Sequence, residues 1–342
     1  MTVLGPDLPT DEHAWTHVQL NQSSIKGRKA SSLAKSMRTF LEDINIGDGL
    51  LLIDWALVKP LSSLAEKRDI RWVCMDRSPP ADANLFAKIQ RNVWKKAWKL
   101  VSSSVEKNRG CLGGTVVSTA HRTLIMDKFS IKRDRLCILH AGVDNHFFQP
   151  NNREFLQQPI KMVYHGKMDR NRGILKLILL LDALENNGIE AELNLIGSGD
   201  LDSNLTSLEN SKPNLRFHRS IDHSIIPTML QEYHIGLLPM PNLPVWNISS
   251  PLKRSEYISS GLLVIGINHA GHHLPVKTEE TDWYQLFEQQ TFVDDAVAKI
   301  KQWIDDGNFA TLSHQAREYA EDYLEWSKTI QPLVDFIETV EE

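Results

Sequence analysis

The chain holds only three cysteines in 342 residues, Cys74, Cys111 and Cys137. They form no CxxC pair and no metal-ligand spacing, which argues against a disulfide framework or a zinc motif and for a reducing compartment with free, buried thiols. No apolar run approaches the ~20 residues that span a bilayer, and the N-terminus lacks the charged-then-apolar order of a secretion signal, so the expected location is cytoplasmic. Positive charge is not in excess either: 38 Lys and Arg against 43 Asp and Glu leave a net charge of -5. There is no global pull toward nucleic acid, and any anion site must be a local feature. Internal repeats and low-complexity segments are missing as well.

What remains is an ordinary globular composition, 42% hydrophobic and 24% charged, in a chain long enough for two domains. From about residue 50 onward, short apolar runs alternate with helix-patterned stretches. Strands are expected at 49 to 54, 70 to 75, 115 to 118 and 136 to 140, then at 160 to 165, 191 to 197, 214 to 218, 234 to 239 and 262 to 267. Helices are expected between them, with 56 to 68, 83 to 108 and 119 to 129 the clearest in the first half, and from about 292 to the end. Runs apolar on both faces suit parallel sheets covered on both sides. The Asn-, Gln- and Pro-rich stretch "FFQPNNREFLQQP" reads as a linker near residue 150. The expected organisation is therefore α/β: two doubly wound, Rossmann-like domains, 1–150 and 151–342, facing a central cleft, with the last helix packing back on the first domain. Ligands of such sheets sit beyond the carboxyl ends of the strands.

Two segments carry anion chemistry. In "VYHGKMDRNRGI" Gly166 ends a strand and permits close backbone approach, and Lys167 and Arg172 lie on the loop into the next helix. A compact lysine charge and a planar arginine fork beside a helix N-terminus can receive a diphosphate; the alternative is a solvated basic loop. In "NISSPLKRSEYISSG" Ser250 suits an N-cap, Pro251 the first helical position and Gly261 the stop, predicting a helix over 251–260. Its N-terminal amides with Lys253 form a second anion site. Glu256, beyond the first turn, can accept hydrogen bonds from a ribose diol; the alternative is an ordinary capped helix with an exposed glutamate.

The ordered set "HGKMDRNRG", "NLIGSGD", "GLLPMP", "SSPLKRSEYISSG" and "LLVIGI", with "GVDNHFFQP" upstream, resembles the retaining glycosyltransferases of family 4 (glycosyl transferases group 1), which have the GT-B fold. The resemblance covers about residues 90 to 330. It implies that Lys167 and Arg172 hold the donor diphosphate and act in catalysis, and that Glu256 holds the ribose. It further implies that Gly166, Gly197 and Gly199 approach the nucleotide and that Ser250, Pro251, Leu252 and Lys253 add phosphate contacts. Two positions depart from the family: the cations run lysine then arginine instead of the reverse, and Ile248 stands where the first glutamate of the family's paired E-x7-E motif falls. Ile248 cannot hydrogen-bond a sugar.

In the first domain "CMDRSPP" leaves a strand and turns at two prolines, so Asp76 and Arg77 are expected to project toward the cleft. Asp76 then orients an acceptor hydroxyl or sugar and Arg77 contacts an anion, or the two pair to stabilise the turn. Ser118 and His121 in "VSTAHR" are candidate acceptor or sugar contacts, with a capping serine and a buried histidine as the alternative. "DLD" at 200 to 202 resembles a metal-nucleotide motif but opens a helix, where acids cap. His269, His272 and His273 lack a spaced carboxylate partner. "GSG" alone lacks the third glycine of a dinucleotide fingerprint. No metal and no cofactor are expected, the substrate being a UDP- or GDP-linked sugar. The segment 87–101 pairs Trp94 and Trp98 with Lys95, Lys96 and Lys99 on a helical repeat. That pattern fits either docking on an anionic membrane surface, which suits a lipid-linked acceptor at the inner face of the cell membrane, or a core-packed helix with a solvated basic face.

The resulting expectation is a hexosyltransferase acting on a glycan, glycolipid or polysaccharide precursor. A non-catalytic nucleotide-sugar-binding subunit and a GT-B sugar-nucleotide epimerase stand as alternatives. The chain also begins without the family's glycine-rich acceptor loop, so that either the loop has diverged or the reading frame is short at its start.

Overall fold

The computed structural model describes residues 2–7, 16–25, 28–44, 46–47, 49–77, 80, 85–151, 156, 158–219, 221–278 and 281–341. Pro79 of the expected proline turn and residues 152–155 and 157 of the expected linker lie outside them. The chain divides into two compact units, Met1–Ile138 with Leu333–Glu342, and Leu139–Pro332.

The first unit opens with β1 (Thr2–Gly5) and β2 (Thr16–Gln19), a parallel pair in a sheet of its own, followed by α1 (Lys29–Asp43). Its main sheet is β3 (Leu50–Asp54), β4 (Arg71–Met75), β5 (Cys111–Val116) and β6 (Leu136–Ile138), parallel throughout and in sequential order. Between these strands run α2 (Trp55–Lys67), α3 (Leu85–Glu106) and α4 (Thr119–Phe129). The Asp54 side chain accepts from the Ala56 amide at 2.9 Å and starts α2. On α3 the apolar repeat Trp94, Ala97, Trp98 and Val101 is buried against Cys74, Ile125 and Phe129. All three cysteines are free and buried.

The second unit contains β7 (Ile160–His165), α5 (Ile174–Asn186), β8 (Ala191–Ile196), α6 (Asp202–Ser211), β9 (Leu215–His218), α7 (Ile226–Leu230) and β10 (Ile235–Leu238). Then follow α8 (Pro244–Asn247), α9 (Leu252–Ser259), β11 (Leu263–Ile267), β12 (Tyr284–Phe287), α10 (Phe292–Asp306), α11 (Phe309–Tyr323) and α12 (Trp326–Glu341). The six strands are parallel in the order β9-β8-β7-β10-β11-β12, which is the 3-2-1-4-5-6 order of a doubly wound Rossmann sheet. All four residues of β10 and all five of β11 are buried, as central strands covered on both faces require. Residues 141–148 belong with this unit through hydrogen bonds from Asn145 Nδ2 to the Ala320 carbonyl (3.2 Å) and from Arg317 to the Phe148 carbonyl (2.6 Å).

Candidate functional site

In a 3-2-1-4-5-6 sheet the switch in strand order falls between β7 and β10, and the crevice beyond their carboxyl ends is where such sheets take ligands. The loop leaving β7 carries Gly166, Lys167 and Arg172. Gly166 and Gly197 both have φ in the left-handed region, +134° and +137°, and a Cβ on Gly197 would sit 1.9 Å from the Gly166 carbonyl oxygen. The glycines let the loops after β7 and β8 touch. A Cβ on Gly199 would likewise meet the Met168 backbone at 2.4 Å. Lys167 is exposed, and its carbonyl accepts from the Tyr164 hydroxyl at 3.2 Å. Arg172, in a 3₁₀ turn at Arg170–Arg172, is partly buried with its guanidinium 4.8 Å from the Trp246 ring centroid and 3.9 Å from Asp169. The Trp246 indole in turn donates to the Asn171 carbonyl at 3.2 Å, so α8 clamps this turn from the other side.

Helix α9 begins one residue later than expected, at Leu252, with Pro251 in the capping position. Ser250 does not cap it. The Ser250 hydroxyl accepts from the Ala141 amide (3.1 Å) and from Arg254 (3.2 Å), and the buried Arg254 also donates to the His273 carbonyl at 2.6 Å. A proline cap offers no side-chain acceptor, and the sequence signal did not reveal that Ala141 and Arg254 would occupy the serine. Leu252 is exposed, and Lys253 points back over β7, its ammonium 5.4 Å from the Tyr164 ring centroid and packed against Gly166. Among the described residues Lys253 makes no ion pair. Burial, and after it the nearby Arg172 charge, pushes its pKa down to about 8. Ile248 closes α8 and offers no polar side-chain atom, as its identity dictates.

Glu256 lies buried on the inner face of α9, 4% exposed, not on the exposed surface of an ordinary capped helix. One carboxylate oxygen meets His165 Nε2 at 3.0 Å and the other His223 Nε2 at 3.0 Å. Burial raises its pKa, but the two imidazole hydrogen bonds outweigh that and hold it at about 2. His165 is pushed below its ordinary range by burial, whereas His223, more exposed, is raised by its bond to Glu256. The Tyr257 hydroxyl receives the His165 amide at 3.0 Å and fixes the end of β7. Sequence reading missed both histidines. His165 ends a strand motif that was read for its glycine and cations, and His223 lies in a loop with no motif of its own.

In the first unit Asp76 does not project outward as expected. It is 2% exposed and receives the indole N–H groups of Trp94 (2.6 Å) and Trp98 (2.8 Å), with His121 Nε2 at 3.4 Å. Two tryptophans one helical turn apart on α3 reach the same oxygen, so of the two readings of this segment the core-packed helix is the one observed. Arg77 is nearly fully exposed and lies 3.6 Å from Asp54, not paired with Asp76. Ser118 accepts from the His121 amide at 3.0 Å and caps α4, and His121 is fully buried, both as the simpler alternative had it. Asp202 opens α6 as expected of an acid in "DLD", but it does not cap the helix: the N-cap is Leu201, and the Asp202 carboxylate instead accepts from the Gly199 amide in the preceding turn at 2.7 Å. The His269 and His272 rings lie 3.8 Å apart in the loop after β11, and no group of three metal-ligating residues gathers among the described residues.

The sequence matches no protein-family model and no curated protein. Its structure does match solved ones. A TarM variant of S. aureus in complex with fondaparinux, alpha-GlcNAc-glycerol and UDP superposes with a TM-score of 0.66 at 13% identity, over 89% of this chain and 58% of that one. Sucrose-phosphate synthase from Thermosynechococcus elongatus gives 0.73 at 17%, over 99% of this chain and 88% of that one. Anabaena HepE in complex with UDP-glucose gives 0.63 at 13%, over 95% and 86%. These neighbours are GT-B glycosyltransferases, and the fold class of this chain is theirs: α/β, with two Rossmann-like domains. The chain spans under three fifths of the TarM length. At these identities the likeness fixes the fold, and the activity has to be argued from the site.

Proposed function

We propose that this chain is a glycosyltransferase of the hexosyltransferase type, moving a sugar with retention from a UDP- or GDP-linked donor to a hydroxyl acceptor on a glycan, glycolipid or polysaccharide precursor. The observation that carries the reading is the convergence, at the switch point of one Rossmann sheet, of Arg172, a Lys253 that makes no ion pair among the described residues, and a buried, ionised Glu256. A lysine depressed by burial and by a neighbouring guanidinium is a site short of an anion, and a diphosphate supplies one. The UDP and UDP-glucose present in the TarM and HepE structures support the same ligand class.

In this reading Lys167, Arg172 and Lys253 receive the diphosphate and Glu256 accepts from the ribose hydroxyls. When the bond from the anomeric carbon to the diphosphate oxygen breaks, its electron pair stays on the diphosphate, where the three cations neutralise it. The acceptor oxygen bonds to the anomeric carbon on the face the leaving group vacates, and its proton passes to the diphosphate. The charge comes from side chains, so the step calls on no metal. Asp76 has no part in it, being held within the core of the first unit. The binding-subunit alternative draws on two observations, Ile248 in the place of the family glutamate and the double engagement of Glu256 by histidines. Membrane association keeps no support from Trp94 and Trp98, and no helix among the described residues is long and apolar enough to cross a bilayer.

Nucleotide release from a panel of UDP- and GDP-sugars, with lipid-phosphate and simple sugar acceptors, tests the proposal in the wild type and in Lys167→Ala and Glu256→Ala. Turnover of one donor, lost in both variants, is the expected result. Nucleotide binding by calorimetry without turnover on any acceptor would move the reading to a binding subunit, and no binding at all would overturn it.

A further inference from the structure

A second cationic feature lies in the first unit, on residues that the proposed chemistry does not use. Helix α3 carries Lys88, Arg91, Lys95, Lys96 and Lys99 and only one acid, Glu106, in its last turn. Arg91, Lys95 and Lys99 follow one another at i,i+4, an arrangement that destabilises a helix through like-charge repulsion. Lys96 and Lys99 line a recess of about 570 Å³ between α3 and α2, together with Lys59 of α2 and Arg109 beyond the end of α3. Ser62, Ser63 and Ser103 contribute hydroxyls to the same walls, and Ser104 lines them with its own hydroxyl proton given to Glu66.

The lysines have no structural explanation within the fold. None of Lys59, Lys96 and Lys99 has a carboxylate three or four residues away on its own helix, and none makes an ion pair among the described residues. None stands in the last turn of its helix, where the macrodipole would favour a cation. The recess does hold one carboxylate, Glu66, but both its oxygens are engaged: Ser104 donates to one at 2.6 Å and Arg109 lies 3.8 Å from the other. The lining therefore keeps an excess of three positive charges beside serine donors, in a chain whose net charge is -5.

We infer that the recess between α2 and α3 is a binding site for a phosphate group. Compact ammonium charges on two facing helices, with hydroxyl donors between them, match a tetrahedral polyanion better than a planar carboxylate, which arginine forks serve. The phosphate comes either from a free small molecule or from a lipid headgroup presented at a surface, and the two sources separate experimentally.

The test uses the full chain in a Lys167→Ala/Arg172→Ala/Lys253→Ala background, so that the three cations of the proposed donor site do not contribute. Calorimetry with inorganic pyrophosphate is run beside co-sedimentation with phosphatidylcholine vesicles prepared with and without phosphatidic acid. Lys96→Gln/Lys99→Gln is compared with Lys107→Gln/Lys132→Gln, which removes the same charge from exposed positions outside the recess. The expected result is binding to at least one probe that weakens by roughly tenfold or more in the first pair and stays within about twofold in the second, with Lys59→Gln weakening it from the facing helix. Binding of pyrophosphate without vesicles identifies a free phosphate ligand, and binding only of the phosphatidic acid vesicles identifies a headgroup. Failure to bind either probe, or equal loss in both double variants, overturns the site.

Discussion

Asp76 in the first unit and Glu256 in the second are both buried carboxyl groups, and both are held by ring N–H donors. A carboxylate taken out of water needs hydrogen bonds at close range, and Asp76 meets that need on one oxygen, its Oδ1 staying buried without a hydrogen-bond partner among the described residues. The difference lies in the donors. Trp94, Trp98 and His121 are themselves at most 3% exposed, so none of the groups around Asp76 reaches solvent. His223 keeps 67% of its side chain exposed, so Glu256 can exchange one of its two partners without unpacking a core. A closed cluster can only stabilise; one that opens on a single side can also take a ligand.

The largest expected effect falls on the closed cluster. Asp76→Ala leaves two indole N–H groups buried without an acceptor and should destabilise the fold by about 3 kcal/mol, read from denaturant unfolding of the full chain. Nucleotide affinity should persist wherever the variant remains folded; a variant with unchanged stability and lost turnover would return Asp76 to the chemistry. Next come the open site's residues. Arg172→Ala and Glu256→Ala should each weaken nucleotide diphosphate binding by about tenfold or more, through loss of charge-assisted hydrogen bonds worth about 1.5 to 3 kcal/mol each. Calorimetry with UDP and GDP reads this directly.

The same contrast explains what could be read in advance. The strands at 160 to 165, 191 to 197 and 262 to 267 announced themselves as apolar runs between turn residues, and the parallel sheet followed from their alternation with helices. The four-residue β12 did not, because an edge strand of Tyr, Gln, Leu and Phe has no continuous apolar run. Nor did α1, whose lysines and serines dilute its apolar face. At the site, local spacing showed that Lys253 and Glu256 share a short helix after a proline. It did not show the partners, since His165 and His223 stand 91 and 33 residues from Glu256 and meet it only through the packing of β7 and the loop after β9. The Trp–Lys pattern of α3 left two readings open for the same reason, because periodicity states that two indoles share a face without stating that a buried aspartate waits beneath it.

A smaller effect should appear in the pH dependence of donor binding. Lys253 is held at about 8 in the free protein, so above that pH it loses the proton that makes it an anion partner. Nucleotide affinity should be level from pH 6.5 to 7.5 and decline by at most about tenfold per pH unit above 8. Lys253→Gln should lower the plateau and remove the decline. A decline that survives the substitution would place the titrating group elsewhere.

The smallest effect belongs to His223, the side of the Glu256 cluster that is free to open. Glu256 is depressed from 4.5 to about 2, so its contribution to stability is present above its unfolded value and is lost as the pH falls from there toward 2. His223 is shifted the other way, so its own contribution is present below its unfolded value and is lost as the pH rises through its raised folded one. His223→Gln removes one of the two imidazoles that lower Glu256, so the acid loss should begin at the same unfolded carboxylate value but be smaller and complete at a higher pH than in the wild type. Near pH 7 the exposed pair is worth little, and the change in unfolding free energy should stay within about 0.5 kcal/mol. His165→Gln attacks the closed half of the same cluster and should cost more than His223→Gln at every pH, because its ring is buried against Tyr257. If the two variants prove equal, the cluster is as closed as that of Asp76, and the case for a ligand opening it from the His223 side fails.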